Sequence, residues 1–364
     1  MSMRASTTSL RPAGDKWVGI WLLAVAGLII AMLAVGGLTR LTGSGLSITE
    51  WDPIIGALPP LNHADWQAAF AKYQQIPQYR LENAGMTLEA FKGIFWWEWA
   101  HRFLGRAIGF VFLVPFLWFA FTGAIGRKDW GRMLLLFAMG GLQGFVGWWM
   151  VESGLEVRVA VSQYRLAIHL GVAVLLLGAV LWVALEYLRG RATGRADKAT
   201  RIAGWFAGAV FVQMMLGALV AGLHAGLVYN TWPSMDGKVS PEAPFAEGWI
   251  SFFENPGLAQ FDHRIAAYAV AIFAWFFWQW LRHIKVAGMA KRAANTVLAI
   301  TASQIVLGIY TLLWQVPVYL AALHQVVAAL LFCAALWLVF ELSLPASART
   351  RRSLHTEGPP FVLP

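Results

Sequence analysis

The chain has 364 residues, 59% hydrophobic and only 13% charged, with a formal charge of +9 and a mean hydropathy of +0.59. Soluble globular chains carry roughly a quarter charged residues, and a soluble fold this apolar would expose patches that aggregate, so an ordinary water-soluble domain is excluded. The basic residues sit in short clusters between apolar runs, the pattern of membrane topology rather than of nucleic-acid binding.

Runs of about 20 apolar residues signal a spanning helix, because the hydrocarbon core is about 30 Å thick. In chain order they fall at 17–38, 93–122, 131–151, 160–186, 201–223, 259–281, 293–314 and 318–343, with Pro317 turning the chain between the last two. The expected fold is an all-α polytopic membrane protein of eight transmembrane helices. Residues 1–16 are too short and too polar for a cleaved secretory signal. Of the 28 Lys and Arg residues, 18 lie in the N-terminus, 123–132, 187–201, 282–292 and the C-terminal tail. The positive-inside rule then places both termini in the cytoplasm. The long loops 39–92 and 224–258 face outward, and the stretch 63–73 reads as a short amphipathic helix lying along the interface. The single cysteine, Cys333, rules out an intramolecular disulfide, a CxxC pair and a CxxCH covalent haem attachment.

The chain repeats itself. Leu166-Ala-Ile-His169 runs on to Trp182 and Glu186, and Ala321-Ala-Leu-His324 runs on to Trp337 and Glu341 at the same spacings. His101-Arg102 answers His263-Arg264, Gln143-xxx-Gly147 answers Gln304-xxx-Gly308, and Gly45-Leu46 through Trp51 echoes Gly226-Leu227 through Trp232. Four spans per half give both halves one orientation, which disfavours the inverted repeats of many transporters and predicts two parallel-repeat four-helix bundles. The boundaries expected are a tail 1–16, a first half 17–186, a basic linker 187–200, a second half 201–343 and a tail 344–364.

Four of eight histidines fall within spans: His101, His169, His263 and His324. All lie on helices running from outside to inside, some five to ten residues below the outer end, so they share one depth. Ionisable residues in a bilayer are expensive and usually functional. A single one could be a hydrogen-bonded packing residue; four at matched depth, two per half, argue for ligands. Two neutral imidazoles facing each other across a bundle can hold haem iron axially, and without a third ligand they suit haem better than zinc. One turn beyond each histidine stands Gly105, Ala173, Ala267 or Ala328, which leaves room for a macrocycle, although membrane helices also use small residues for packing. Arg102 and Arg264 could pair with haem propionates or anchor helix ends. His63, His283 and His355 read as solvated, and His224 ends the fifth span with no assigned role.

The halves differ at one position. Glu98 precedes His101 by three residues, where Gln260 precedes His263. A carboxylate there can act as acid or base or stabilise a developing cation; it can also pair with Arg102. The asymmetry points to chemistry in the first half and electron transfer in the second.

Taken in order, Gly36-Gly-Leu-Thr-Arg40, Thr42-Gly-Ser-Gly-Leu-Ser47, Glu98-Trp-Ala-His101-Arg102, Ala167-Ile-His169, Asp262-His263-Arg264 and Ala322-Leu-His324 resemble the haem A synthase family, Cox15/CtaA, over nearly the whole chain. The resemblance implies oxidation of the C8 methyl of haem O to a formyl group, giving haem A for cytochrome oxidase. It implies that His101 and His169 flank the substrate haem with Glu98 as catalytic carboxylate, and that His263 and His324 bind a haem b cofactor through its iron. The implied partners are membrane lipid, the enzyme that makes haem O and an electron donor the sequence does not name; a homo-oligomer is compatible with it. Lacking outer-loop cysteines, the chain looks most like the branch without them, in a bacterial inner membrane or its mitochondrial counterpart. Two other readings stand beside this one: a di-haem electron carrier of cytochrome b type, and a haem transporter or chaperone.

Overall fold

The computed structural model describes residues 13–51, 55–156, 158–192, 197–242, 245–246, 248 and 249–345. Among them, eight helices are long and apolar enough to cross a membrane: α1 (Ala13–Leu41), α4 (Leu88–Phe121), α5 (Arg127–Glu152), α6 (Gln163–Arg189), α7 (Lys198–Gly222), α9 (Pro256–His283), α10 (Gly288–Leu313) and α11 (Val318–Ser343). Between them, α2 (His63–Tyr73) and α3 (Pro77–Leu81) lie in the first long loop and the short α8 (Ser251–Glu254) in the second. The chain is thus an all-helical, multi-pass membrane protein, as its apolar runs predict.

Local chemistry sets the helix starts. The Thr87 side chain accepts from Ala90 N at 3.2 Å, Asp197 from Thr200 N at 2.8 Å, and Asn255 from Leu258 N at 2.9 Å with Pro256 in the first helical position. Each cap satisfies a backbone donor that the first turn leaves free. These signals move α4 and α9 several residues outward of the starts read from hydropathy. α1 likewise begins at Ala13, inside the stretch taken as a tail, and α6 runs three residues past 186. The amphipathic helix expected over 63–73 is α2, with those bounds.

Within the first half α1 packs on α4 and α6, and α5 on α4 and α6; within the second, α7 packs on α9 and α11, and α10 on α9 and α11. Contacts between halves run through α6–α7, α1–α11 and α6–α11. The central core holds Leu22, Val174, Leu177, Phe206, Leu338 and Phe340, all at 1% exposure or less. Of the most apolar stretch of each helix, 56% is buried in α11 but 11% in α4, α5 and α10, so the latter turn most of their surface outward. Phe110, Trp118, Phe121, Trp205 and Phe276 are among the exposed side chains, as lipid-facing positions require.

The tryptophan–glutamate pairs read as repeats are local hydrogen bonds: Trp182 Nε1 donates to Glu186 and Trp337 Nε1 to Glu341, each at 3.2 Å. Their cations differ. Arg132 on α5 meets Glu186 at 2.6 Å, whereas Arg189 at the end of α6 meets Glu341 at 2.9 Å. The Glu341 side chain is 3% exposed, so Arg189→Ala strands a buried charge and should destabilise the protein by about 3–5 kcal/mol. Reversible unfolding of the detergent-solubilised variant against wild type measures this; a loss below about 1 kcal/mol, the range of an exposed pair, would show the pair to be solvated.

Candidate functional site

Each intramembrane histidine rests on a glycine of the neighbouring helix. A Cβ built on Gly36 of α1 would stand 2.8 Å from Cε1 of His101 on α4; on Gly147 of α5, 2.9 Å from that of His169 on α6. In the second half, Gly217 of α7 gives 3.1 Å to His263 on α9, and Gly308 of α10 gives 3.0 Å to His324 on α11. At Gly36 and Gly147 a Cβ could be admitted only if the ring moved, and at Gly217 and Gly308 the ring would have to give by a few tenths of an ångström. In every case Cε1 is the nearest ring atom and Nε2 no nearer than Nδ1, so the Cε1 edge of each imidazole is turned to the glycine.

One turn before three of these glycines stands a glutamine. Gln143 Nε2 donates to the His169 carbonyl at 3.1 Å and lies 3.1 Å from its Nδ1; Gln213 Nε2 donates to the His263 carbonyl at 2.9 Å and lies 3.0 Å from its Nδ1. Gln304 Nε2 donates to the His324 carbonyl at 3.0 Å, 3.4 Å from the ring's Nε2. A single side chain thereby fixes both the register of two helices and the swing of a ring. At the fourth position α1 carries Met32, and the buried Nδ1 of His101 has no hydrogen-bond partner among the described residues. Met32 instead points its methyl at Gly105, whose built Cβ would lie 3.2 Å from it. The room at Gly105 therefore adjoins a thioether.

The four histidines fall two to a half, His101 and His169 on α4 and α6 and His263 and His324 on α9 and α11. His101 lies thirteen residues into α4, deeper from the helix start than the six or seven of the other three, because α4 overshoots its neighbours. Its extra turns pack Phe91 and Phe95 against Leu46, Tyr73 and Ile76 in a separate outer cluster. The residues fit a bis-imidazole haem in each half: two ring ligands, Cβ-free cradles behind them and, in the second half, a buried Arg264 Nε with no partner among the described residues. Among the described residues no three His, Cys, Asp or Glu side chains converge as a closed zinc site requires.

The structure engages Glu98 and both arginines with the outer loops. Glu98, 2% exposed, accepts from Ser47 Oγ and Ile48 N, each at 2.8 Å, and from Arg102 Nε and Nη2 at 3.1 and 2.6 Å. Arg102 continues to the carbonyls of Ile48 and Glu50 at 2.6 and 2.8 Å. In the second half, Gln260 Nε2 donates to the carbonyls of Ala225 and Tyr229 at 2.9 and 3.1 Å, while its Oε1 accepts from Arg264 at 3.2 Å. The first loop presents donors and the second presents acceptors. That polarity by itself demands a carboxylate at 98 and an amide at 260, a reason for the asymmetry that sequence alone did not suggest.

Arg264 also bonds the carbonyls of Ser234 and Tyr229, so both arginines clamp the loops over the histidine pairs. His224 lies just past α7 with φ 51°, exposed, outside the spans. His63 opens α2 and His283 closes α9; His355 lies outside the described residues.

Residues 19–336 match the family described as "Cytochrome oxidase assembly protein". The chain belongs to that family. Relatives in it include "Heme A synthase" of Parvibaculum lavamentivorans, 48% identical over 333 residues that cover 91% of this chain and 96% of the relative. Proteins of the same name from Bradyrhizobium sp. (strain ORS 278) and Caulobacter sp. (strain K31) are 50% and 47% identical, covering 87% and 93% of this chain and 89% and 100% of their own lengths.

The cradles were only half visible in the sequence. Gln143-xxx-Gly147 and Gln304-xxx-Gly308 stand out there, but Gln213-xxx-Gly217 and Met32-xxx-Gly36 carry the same spacing on α7 and α1 and went unassigned.

Proposed function

We propose that the chain is a haem A synthase of an inner membrane, both termini cytoplasmic, which oxidises the C8 methyl of haem O to a formyl group and so supplies haem A for cytochrome oxidase. What carries this reading is the match at 48% identity, over 91% of the chain, to a protein named "Heme A synthase". The paired histidines support it. His101 and His169 flank the substrate haem in the first half, and His263 and His324 hold haem b in the second; the haem iron supplies reversible one-electron chemistry. Glu98 places a carboxylate beside His101 and, through Ser47, Ile48 and Arg102, closes the outer loop over the pair. Arg102 and Arg264, held against the loop carbonyls above the histidines, would supply the positive charge that haem propionates require. The 17–186 half is the substrate half, 201–343 the electron-relay half, and together they form two parallel-repeat bundles.

The test is analysis of haems extracted from membranes that express the chain alongside a supply of haem O. A formyl haem absent from the empty-vector control supports the synthase. If haem b alone comes out, with haem O unconsumed in the presence of active reductants, the protein is a di-haem electron carrier. The loop polarity that explains Glu98 and Gln260 without chemistry is the observation that favours this second reading.

A further inference from the structure

Three of the four cradles are alike and the fourth differs in a way that bears on exchange of ligand. At His169, His263 and His324 the neighbouring helix supplies glycine and, one turn earlier, glutamine; at His101 it supplies Gly36 and Met32. The glutamine amide grips the histidine's own carbonyl and stands against its ring. By donating to the histidine's backbone carbonyl, each amide fixes where the imidazole stands on its helix, and outer groups that position a metal ligand typically carry about 10–100-fold in affinity. A thioether has no donor and accepts only weakly, so His101 is held by contact alone: its Nδ1 is unbonded among the described residues, as is that of His324, but Gln304 still ties down the His324 carbonyl and nothing does so for His101 through Met32.

We infer that Met32 is a positioning residue that keeps His101 the yielding axial ligand of the first-half site, while Gln143 holds His169 as the firm one. The inference rests on the assignment of that half to the exchangeable haem. It explains why the two halves, otherwise matched cradle for cradle, differ here. A resident cofactor is served by two amide-held histidines. A substrate that must arrive and a product that must leave are served by one held and one free. Gln at position 32 would bring the first site to the pattern of the other three, and its length matches the methionine that already reaches Gly105.

The experiment uses the full chain, purified with haem O in its first-half site and mixed with excess apomyoglobin, which takes up released haem with a change in Soret absorbance. Met32→Gln should slow that transfer about tenfold and leave the second-half low-spin bands in place. Gln143→Met, which frees the opposite ring, should speed it by a similar factor. Met32→Gln protein that releases haem at the wild-type rate overturns the inference; if that variant does not fold, an unchanged rate in Gln143→Met overturns it instead. The underlying assignment fails separately: His101→Ala and His169→Ala proteins that both retain the exchangeable haem would show that it sits elsewhere.

Discussion

Glu98→Gln is expected to cut conversion of haem O by roughly a hundredfold or more, while the low-spin haem of the second half stays bound. Four donors converge on the two carboxylate oxygens, and an amide must turn its NH2 toward two of them. The substitution that looks mildest, because the other half carries glutamine at the matching position, is therefore the harsh one here. Gln260 works in its own setting because its loop offers the carbonyls of Ala225 and Tyr229. Hydrogen exchange at the Ile48 amide separates the two ways the loss can arise. Lost conversion with an unchanged Ile48 amide assigns the effect to the missing charge beside His101. Lost conversion with faster exchange assigns it to an opened loop. Formyl haem made at the wild-type rate would remove Glu98 from the reaction.

In the second half, His263→Ala should abolish the low-spin haem b spectrum, and Gly217→Val should do so with the imidazole still present. The built Cβ at Gly217 already lies 3.1 Å from His263 Cε1 and 3.6 Å from Nδ1. Valine adds two methyls to that point, on a stiff β-branched side chain. The ring must then swing out of line with its partner on α11, and a neutral bis-imidazole site with one ring displaced loses its low-spin character. Gly204, one face of the same helix where a Cβ meets nothing within 4 Å, provides the control position. The low-spin bands and haem-to-protein ratio of the purified variants give the result; a Gly217→Val protein with intact bands would show that the cradle is not needed to aim the ring.

Most of the fold was legible because the bilayer imposes it. A segment such as 318–343 can satisfy its backbone in hydrocarbon only as a helix, and its length announces the span. The four histidines within the spans were legible because an imidazole stands out against Leu, Val and Phe. Helix ends were less so: Thr87 and Asn255-Pro256 are good start signals, but a search by hydropathy passes over polar caps and begins α4 and α9 late. The glycine cradles were missed for a different reason. Each pairs a histidine with the helix beside it in space, and comparing the halves span by span tests likeness, not adjacency. Gly36 and Met32 had no glutamine to draw attention to them, yet the absence is what distinguishes the first site. The engagement of Glu98 with Ser47 and Ile48 depends on which polar groups a loop turns inward, which no spacing along the chain records.

The unequal service of Glu186 and Glu341 bears on how the protein is made. The first half supplies its own counter-ion from Arg132 on α5, but where α5 has Arg132 the matching place on α10 is Ala293, and Glu341 depends on Arg189 from the end of α6. The dependence therefore runs from the later-made half to the earlier one. A ribosome releases the chain N-terminus first, so the first four spans can settle with the Glu186 carboxylate already neutralised, and the last helix to emerge finds its cation waiting. Reversing the order of the two halves by circular permutation would leave Glu341 inserted before Arg189 exists, and the cost would appear as lower membrane yield of an otherwise identical set of helices.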